Sequence, residues 1–146
     1  MAAIKPSSGK KYFTIASANA ALPLVRAIIR DVTELAQELR ERHDRLSRVL
    51  SGKRGGMSDA HQEELLQAQG EVERGQERMR EYEQELKQLG VELKDYFMGL
   101  IDFPCWMDGR EVYLCWRMGE PDVAHWHELT EGFAGRRKLL TPTGSR

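Results

Sequence analysis

The chain of 146 residues has no apolar run approaching the ~20 residues that a bilayer core requires. Its opening stretch, MAAIKPSSGKKYF, has no apolar segment of the kind a secretory signal needs. Both absences exclude the helical membrane-protein class, and together they predict a cytoplasmic location with no membrane partner. An excess of one charge is missing too. Lys and Arg number 22 against 23 Asp and Glu, for a formal net charge of -1. Bulk charge therefore does not favour a nucleic-acid partner or an anionic membrane. Cysteine is scarce, with two residues and no CxxC pair. In a reducing compartment such thiols stay free. No HExxH motif and no phosphate-loop pattern occurs, so no motif assigns a catalytic chemistry.

What the sequence does contain divides into two parts. From Leu22 the residues Leu22, Val25, Ile29, Val32, Ala36, Leu39, His43, Leu46 and Leu50 alternate spacings of 3 and 4, which is a coiled-coil seam. Thr14 or Asn19 caps its start. Residues 51–57, SGKRGGM, carry three glycines and break the pattern as a loop. Ser58 or Asp59 then caps a second helix with the seam Leu65, Ala68, Val72, Gly75, Met79, Tyr82, Leu86 and Leu89, ending at Gly90.

Folded back on each other, the two seams match large to small. Leu46 meets Ala68, Leu39 meets Gly75, Ala36 meets Met79, and His43 lies half-buried beside Val72. Residues 22–54 carry eight basic against five acidic side chains, and residues 59–94 carry five against ten. Opposite charge favours an antiparallel pair within one chain.

The second part, residues 99–137, holds all three tryptophans, both cysteines and two of the four histidines. Asp108-Gly109 predicts a type I′ hairpin, pairing Met107 with Arg110. One face of that hairpin then carries Ile101, Phe103, Cys105, Met107, Val112, Leu114, Trp116 and Met118 and belongs on the core. The other carries Asp102, Pro104, Trp106, Glu111, Tyr113, Cys115 and Arg117, with Asp102 opposite Cys115. The two cysteines point to opposite faces, so no disulfide joins them. Pro104 suggests an edge strand, and residues 91–94 supply a third strand. The expected fold is α+β: a long antiparallel helical hairpin over residues 12–90 and a small antiparallel β head over 91–140 packed on its base. Residues 1–11 and 141–146 are read as flexible tails.

The second hairpin face, with the segment that follows it, is the candidate binding surface: Asp102, Tyr113, Cys115, Arg117, Glu120, Trp126, His127 and Arg136. Zinc takes three or four N, S or O ligands. The groups available are Asp102, Cys115, His125, His127 and Glu128, without a diagnostic spacing. No cofactor is assigned, and a divalent metal is kept as the alternative. Gly132-Phe133-Ala134-Gly135 with Arg136 and Arg137 forms a tight turn that offers N–H groups and guanidinium to an anion.

Tyr12-Phe13-Thr14, Leu22-Pro23, Gly99-Leu100-Ile101-Asp102-Phe103-Pro104, Glu111 to Arg117, Gly119-Glu120, Trp126-His127 and Gly132 to Arg136 together resemble the prokaryotic family catalogued as domain of unknown function 2203. The resemblance covers roughly residues 12–139 and implies a bacterial source without implying an activity. An aromatic residue is common in that family where His125 stands here.

The leading functional reading is a non-catalytic interaction or scaffold module, binding a protein partner or a second copy. The alternative is a small-ligand, anion or metal site on the β head, with enzymatic activity left open. A third reading, ribosome or RNA contact by the hairpin tip through Lys53 and Arg54, has the neutral charge against it.

Overall fold

The computed structural model describes residues 9–52 and 58–139. The tip residues Lys53 and Arg54, most of the glycine loop and the final residues fall outside that range.

Helix α1 runs Ile15–Ser51 and helix α2 runs Asp59–Leu89. Five strands follow: β1 Glu92–Asp95, β2 Leu100–Met107, β3 Arg110–Arg117, β4 His125–Glu128 and β5 Arg137–Lys138. They form one antiparallel sheet in chain order. No helix among the described residues is long and apolar enough to cross a membrane.

Thr14 is the cap of α1. Its hydroxyl accepts from the Ser17 backbone N–H while the Ser17 hydroxyl accepts from the Thr14 N–H, so two end donors are satisfied reciprocally. Asn19 has a different job. Its Oδ1 accepts from Val123 N–H at 2.8 Å and its Nδ2 donates to Val123 O at 3.3 Å, which straps the β3–β4 connection to α1. Ser58 caps α2, and Gly90 ends it with φ of 86°, a left-handed conformation in which its N–H reaches Leu86 O and Lys87 O.

The seam of α2 is as the spacing predicts, with Ala68, Val72, Gly75, Met79 and Leu86 buried. A side chain at Gly75 would place its Cβ 2.4 Å from Leu39 Cδ2 and 2.8 Å from Arg42 Nη1. Glycine here permits the close approach of the helices.

The seam of α1 differs from the expectation at the tip. His43 is exposed rather than half-buried, and Leu50 is 50% exposed while Val49 is buried. A 3-4 pattern admits two phases in this helix. Near the sheet α1 buries both, with Ile28 beside Ile29 and Leu35 beside Ala36. Beyond Leu39 only the phase through Arg42, Leu46 and Val49 faces α2. There Arg42 donates to Glu71 O at 3.1 Å and Arg45 to Glu71 Oε1 at 2.7 Å, and these cross-links favour that phase.

The hairpin register is the expected one: Met107 pairs with Arg110 and Asp102 with Cys115. Asp108 and Gly109 both have positive φ, 52° and 79°, as a type I′ turn requires. Pro104 does not mark an edge, because β1 lies outside β2. Its missing N–H is tolerated since β1 begins opposite Asp102 and does not reach Pro104, where Phe13 N–H donates to Pro104 O at 2.7 Å. Lys10 pairs with Glu111, and Lys11 lies over the Phe13 ring at 4.8 Å, so the chain is in contact with the head from residue 10 onward.

Helix α1 lies along the apolar face of the sheet. Val25, Ile29 and Val32 share a single core with Ile101, Phe103, Leu114 and Trp116. The head and the helical base are thus one packed body.

Candidate functional site

Alternation along the strands assigns each side chain to a face. Asp102 on β2, Tyr113 and Cys115 on β3, and His125 and His127 on β4 all fall on the face away from α1. The segment Leu129–Arg136 returns over that face. Asp102 and His127 are each 2% exposed and Cys115 is 0% exposed, so the centre of the polar face is as dry as the apolar one.

Three of the predicted residues converge. His127 Nε2 lies 3.0 and 3.1 Å from the two oxygens of Asp102. The Cys115 thiol lies beside the same carboxylate. The potential ligand atoms of Asp102, Cys115 and His127 are all within 4.8 Å of one another. His127 Nδ1 is 2.8 Å from the backbone oxygen of Glu128, which only accepts, so Nδ1 carries a hydrogen and Nε2 faces the carboxylate.

Burial raises the pKa of Asp102, an effect that the neighbouring His127 opposes. Burial and then the Asp102 charge push the Cys115 thiol up to about 12. Cys115 is therefore a thiol at neutral pH and no ready nucleophile.

Tyr113 borders the cluster. Its ring centroid is 5.5 Å from that of His127, and its hydroxyl donates to Glu92 Oε1 at 2.9 Å. Burial and that hydrogen bond raise its pKa. Lys94 reaches Glu92 at 2.9 Å and stands over the Tyr113 ring. A cavity of about 110 Å³ adjoins the pair, lined by Asp102, His127, Tyr113, Lys94, Leu129 and Phe133 among others. Cys115 does not line it.

The other expected residues lie apart. Glu120 accepts from Arg136 Nη2 at 2.9 Å and from Arg117 N–H at 2.9 Å. Burial alone would raise its pKa, but Arg136 and the Arg117 amide hold it below the usual carboxylate value. Arg136 also reaches Cys115 O at 3.5 Å and so lies behind the cluster. The Arg117 side chain is exposed and stacks on Phe133.

Trp126 does not lie on the candidate face. It pairs with Leu114 and packs against the core, since one step along a strand reverses the face. Glu128 shares that reversal and holds Arg110 through two hydrogen bonds. His125 is on the correct face, but its Nδ1 is 3.9 Å from Glu120 Oε2 and is buried without a hydrogen-bond partner. Burial and then Arg136 lower its pKa.

Glu92, Lys94 and Phe133 were not anticipated as neighbours of the site. The Glu92–Asp102 pairing puts Glu92 on the polar face, a placement that parity would have supplied had the register of β1 been fixed.

A second feature lies on the helical hairpin. Between α1 and α2 on one flank runs an open groove of about 680 Å³, lined by Ala36, Leu39, Met79, Arg40, Arg80, Tyr96 and Phe97 among others. The β1–β2 turn forms its lip, with Tyr96, Phe97 and Met98 exposed by 36%, 49% and 39%. Asp95 Oδ1 accepts from the N–H groups of Phe97 and Met98 at 2.9 and 2.8 Å, which fixes the turn. The Arg40 guanidinium covers Phe97 at 4.2 Å, and Tyr96 donates to Glu83. On the opposite flank the groove is charged, with Asp31, Glu34 and Glu38 facing Arg74 and Arg78.

No curated protein and no solved structure matches this chain. The model of a family described as uncharacterized conserved protein (DUF2203) matches residues 11–139, which spans both helices and the whole sheet. The chain belongs to that family.

Proposed function

We propose that the protein is an interaction module whose helical hairpin pairs with a second copy of the chain through the Phe97-lipped groove. The observation that carries this reading is the exposed triplet Tyr96-Phe97-Met98, held rigidly beside an open groove with an apolar floor. Apolar side chains kept in water at a fixed position cost free energy, and such patches mark contact surfaces. A turn already fixed by Asp95 loses little entropy on docking.

The choice of a second copy rests on self-complementarity. Knob and groove lie on the same flank, so a two-fold axis would seat each knob in the other groove. The groove rim carries Arg40 and Arg80, and the knob is flanked by Asp95 and Glu83. The charged opposite flank suits water better than a partner.

Light scattering on the purified chain at micromolar concentration tests this reading. The expected mass is twice that of one chain, falling to a single chain for Phe97→Asp with an unchanged circular dichroism spectrum. A wild-type protein that stays monomeric would overturn self-pairing.

A further inference from the structure

We infer that Asp102, Cys115 and His127 form a binding site for one divalent transition-metal ion of the zinc class. The cluster combines carboxylate, thiol and imidazole, a donor set suited to a borderline-soft cation. Each donor comes from a different strand of one rigid sheet. The ligand atoms all lie within 4.8 Å of one another, and none of the three residues is more than 2% exposed.

The orientation of His127 adds the decisive detail. Its Nδ1–H is spent on the Glu128 carbonyl at 2.8 Å, the second contact by which proteins orient a ligating imidazole. In the neutral ring, Nε2 then presents a lone pair to Asp102 oxygens at 3.0 and 3.1 Å. Two acceptors face each other at contact distance in a dry interior. Something positive must lie between them, either a proton or a metal ion.

The ion accounts for more of the site than a proton does. It would also use the Cys115 thiol, a fully buried sulfur beside the carboxylate. Charge balances: a dication with one carboxylate, one thiolate and a neutral imidazole sums to zero, as a buried site requires. Binding releases two protons, one from the Cys115 thiol and one shared by the Asp102–His127 pair.

The cavity of about 110 Å³ is lined by Asp102 and His127 and not by Cys115. A water needs about 30 Å³, so the ion's fourth position has room for one. Three protein ligands with one position open is the arrangement of a reactive rather than a purely structural zinc site. Glu128, engaged with Arg110 on the opposite face, and His125, beside Glu120, take no part.

The test is titration of chelator-treated full-length protein with Co²⁺ and with Zn²⁺, followed by absorption and elemental analysis. The expected result is one equivalent per chain, with a thiolate-to-cobalt charge-transfer band that Zn²⁺ abolishes. Cys115→Ser should remove the band and weaken binding at least about tenfold, and Cys105→Ser should leave both unchanged. Asp102→Asn serves as the folded control. Its amide can donate to Nε2, so the sheet survives in circular dichroism while metal affinity falls at least about tenfold. A folded wild-type protein that takes up no stoichiometric ion would overturn the inference. So would uptake that neither Cys115→Ser nor Asp102→Asn weakens.

Discussion

The centres of the two faces of the sheet are equally dry and chemically opposite. Toward α1 lie Ile101, Phe103, Val112, Leu114 and Trp116, all at 0% exposure. On the other side lie Asp102, Cys115 and His127, at 2% or less. Burial of the first set is favourable by roughly 1.5–3 kcal/mol for a large side chain. Burial of the second is costly unless every donor and acceptor is paired. A fold needing stability alone would use apolar residues on both faces. The polar face is the one on which we propose the metal site.

The largest effect that would break this contrast comes from the apolar side. Phe103→Ala or Trp116→Ala should cost about 3–5 kcal/mol in chemical denaturation, since each removes a fully buried ring from the layer under α1.

On the polar face the signature should be coupling. Asp102→Ala or His127→Ala alone leaves its partner unpaired and should cost about 1–3 kcal/mol in metal-free protein. The double variant should cost less than the sum of the two, by about 0.5 kcal/mol or more. Strict additivity would show that the pair is not a unit.

Between the helices, Gly75→Leu drives carbon into Leu39 and should cost about 1–3 kcal/mol, read as a lowered melting temperature.

Smaller still is the acid limb. Glu120 and Glu92 both have pKa values held below the ordinary carboxylate value, against the effect of burial, by Arg136 and by Lys94 with Tyr113 respectively. A carboxylate depressed in the folded state contributes stability above its unfolded pKa. That contribution is lost as the pH falls through the folded value. Stability should therefore decline below about pH 4.5, the ordinary value for these groups. Glu120→Gln should flatten that decline in a series of melts.

The smallest effect is chemical. Both Cys105 and Cys115 should label slowly in native metal-free protein, since they are 4% and 0% exposed. Burial raises the pKa of both thiols, and Asp102 raises that of Cys115 further. Fast labelling of Cys105 would mean that the hairpin register is wrong.

Where one local rule dominates, the sequence was a reliable guide. Asp108-Gly109 fixed the hairpin turn, the turn fixed the register, and the register placed Asp102 opposite Cys115. The helix pairing was legible because the folded-back seams set large residues against small ones, Leu39 against Gly75 among them. Two features were not legible. The phase of α1 at its tip depends on Arg42 and Arg45 reaching Glu71, a contact with no imprint on apolar spacing. The placement of His125-Trp126-His127 depended on β4 being extended and on which strand it joined. A four-residue strand carries too little pattern to declare either. Once β4 is known to pair with β3, alternation sends Trp126 to the core and His127 to Asp102.

The most direct test of the whole account is native mass spectrometry of the untagged chain after reconstitution with Zn²⁺ and desalting. The account predicts a dimer retaining one zinc ion per chain, and a Cys115→Ser dimer that retains none. A monomer free of metal would contradict it on both counts, and a metal-free wild-type dimer would contradict the site on the polar face.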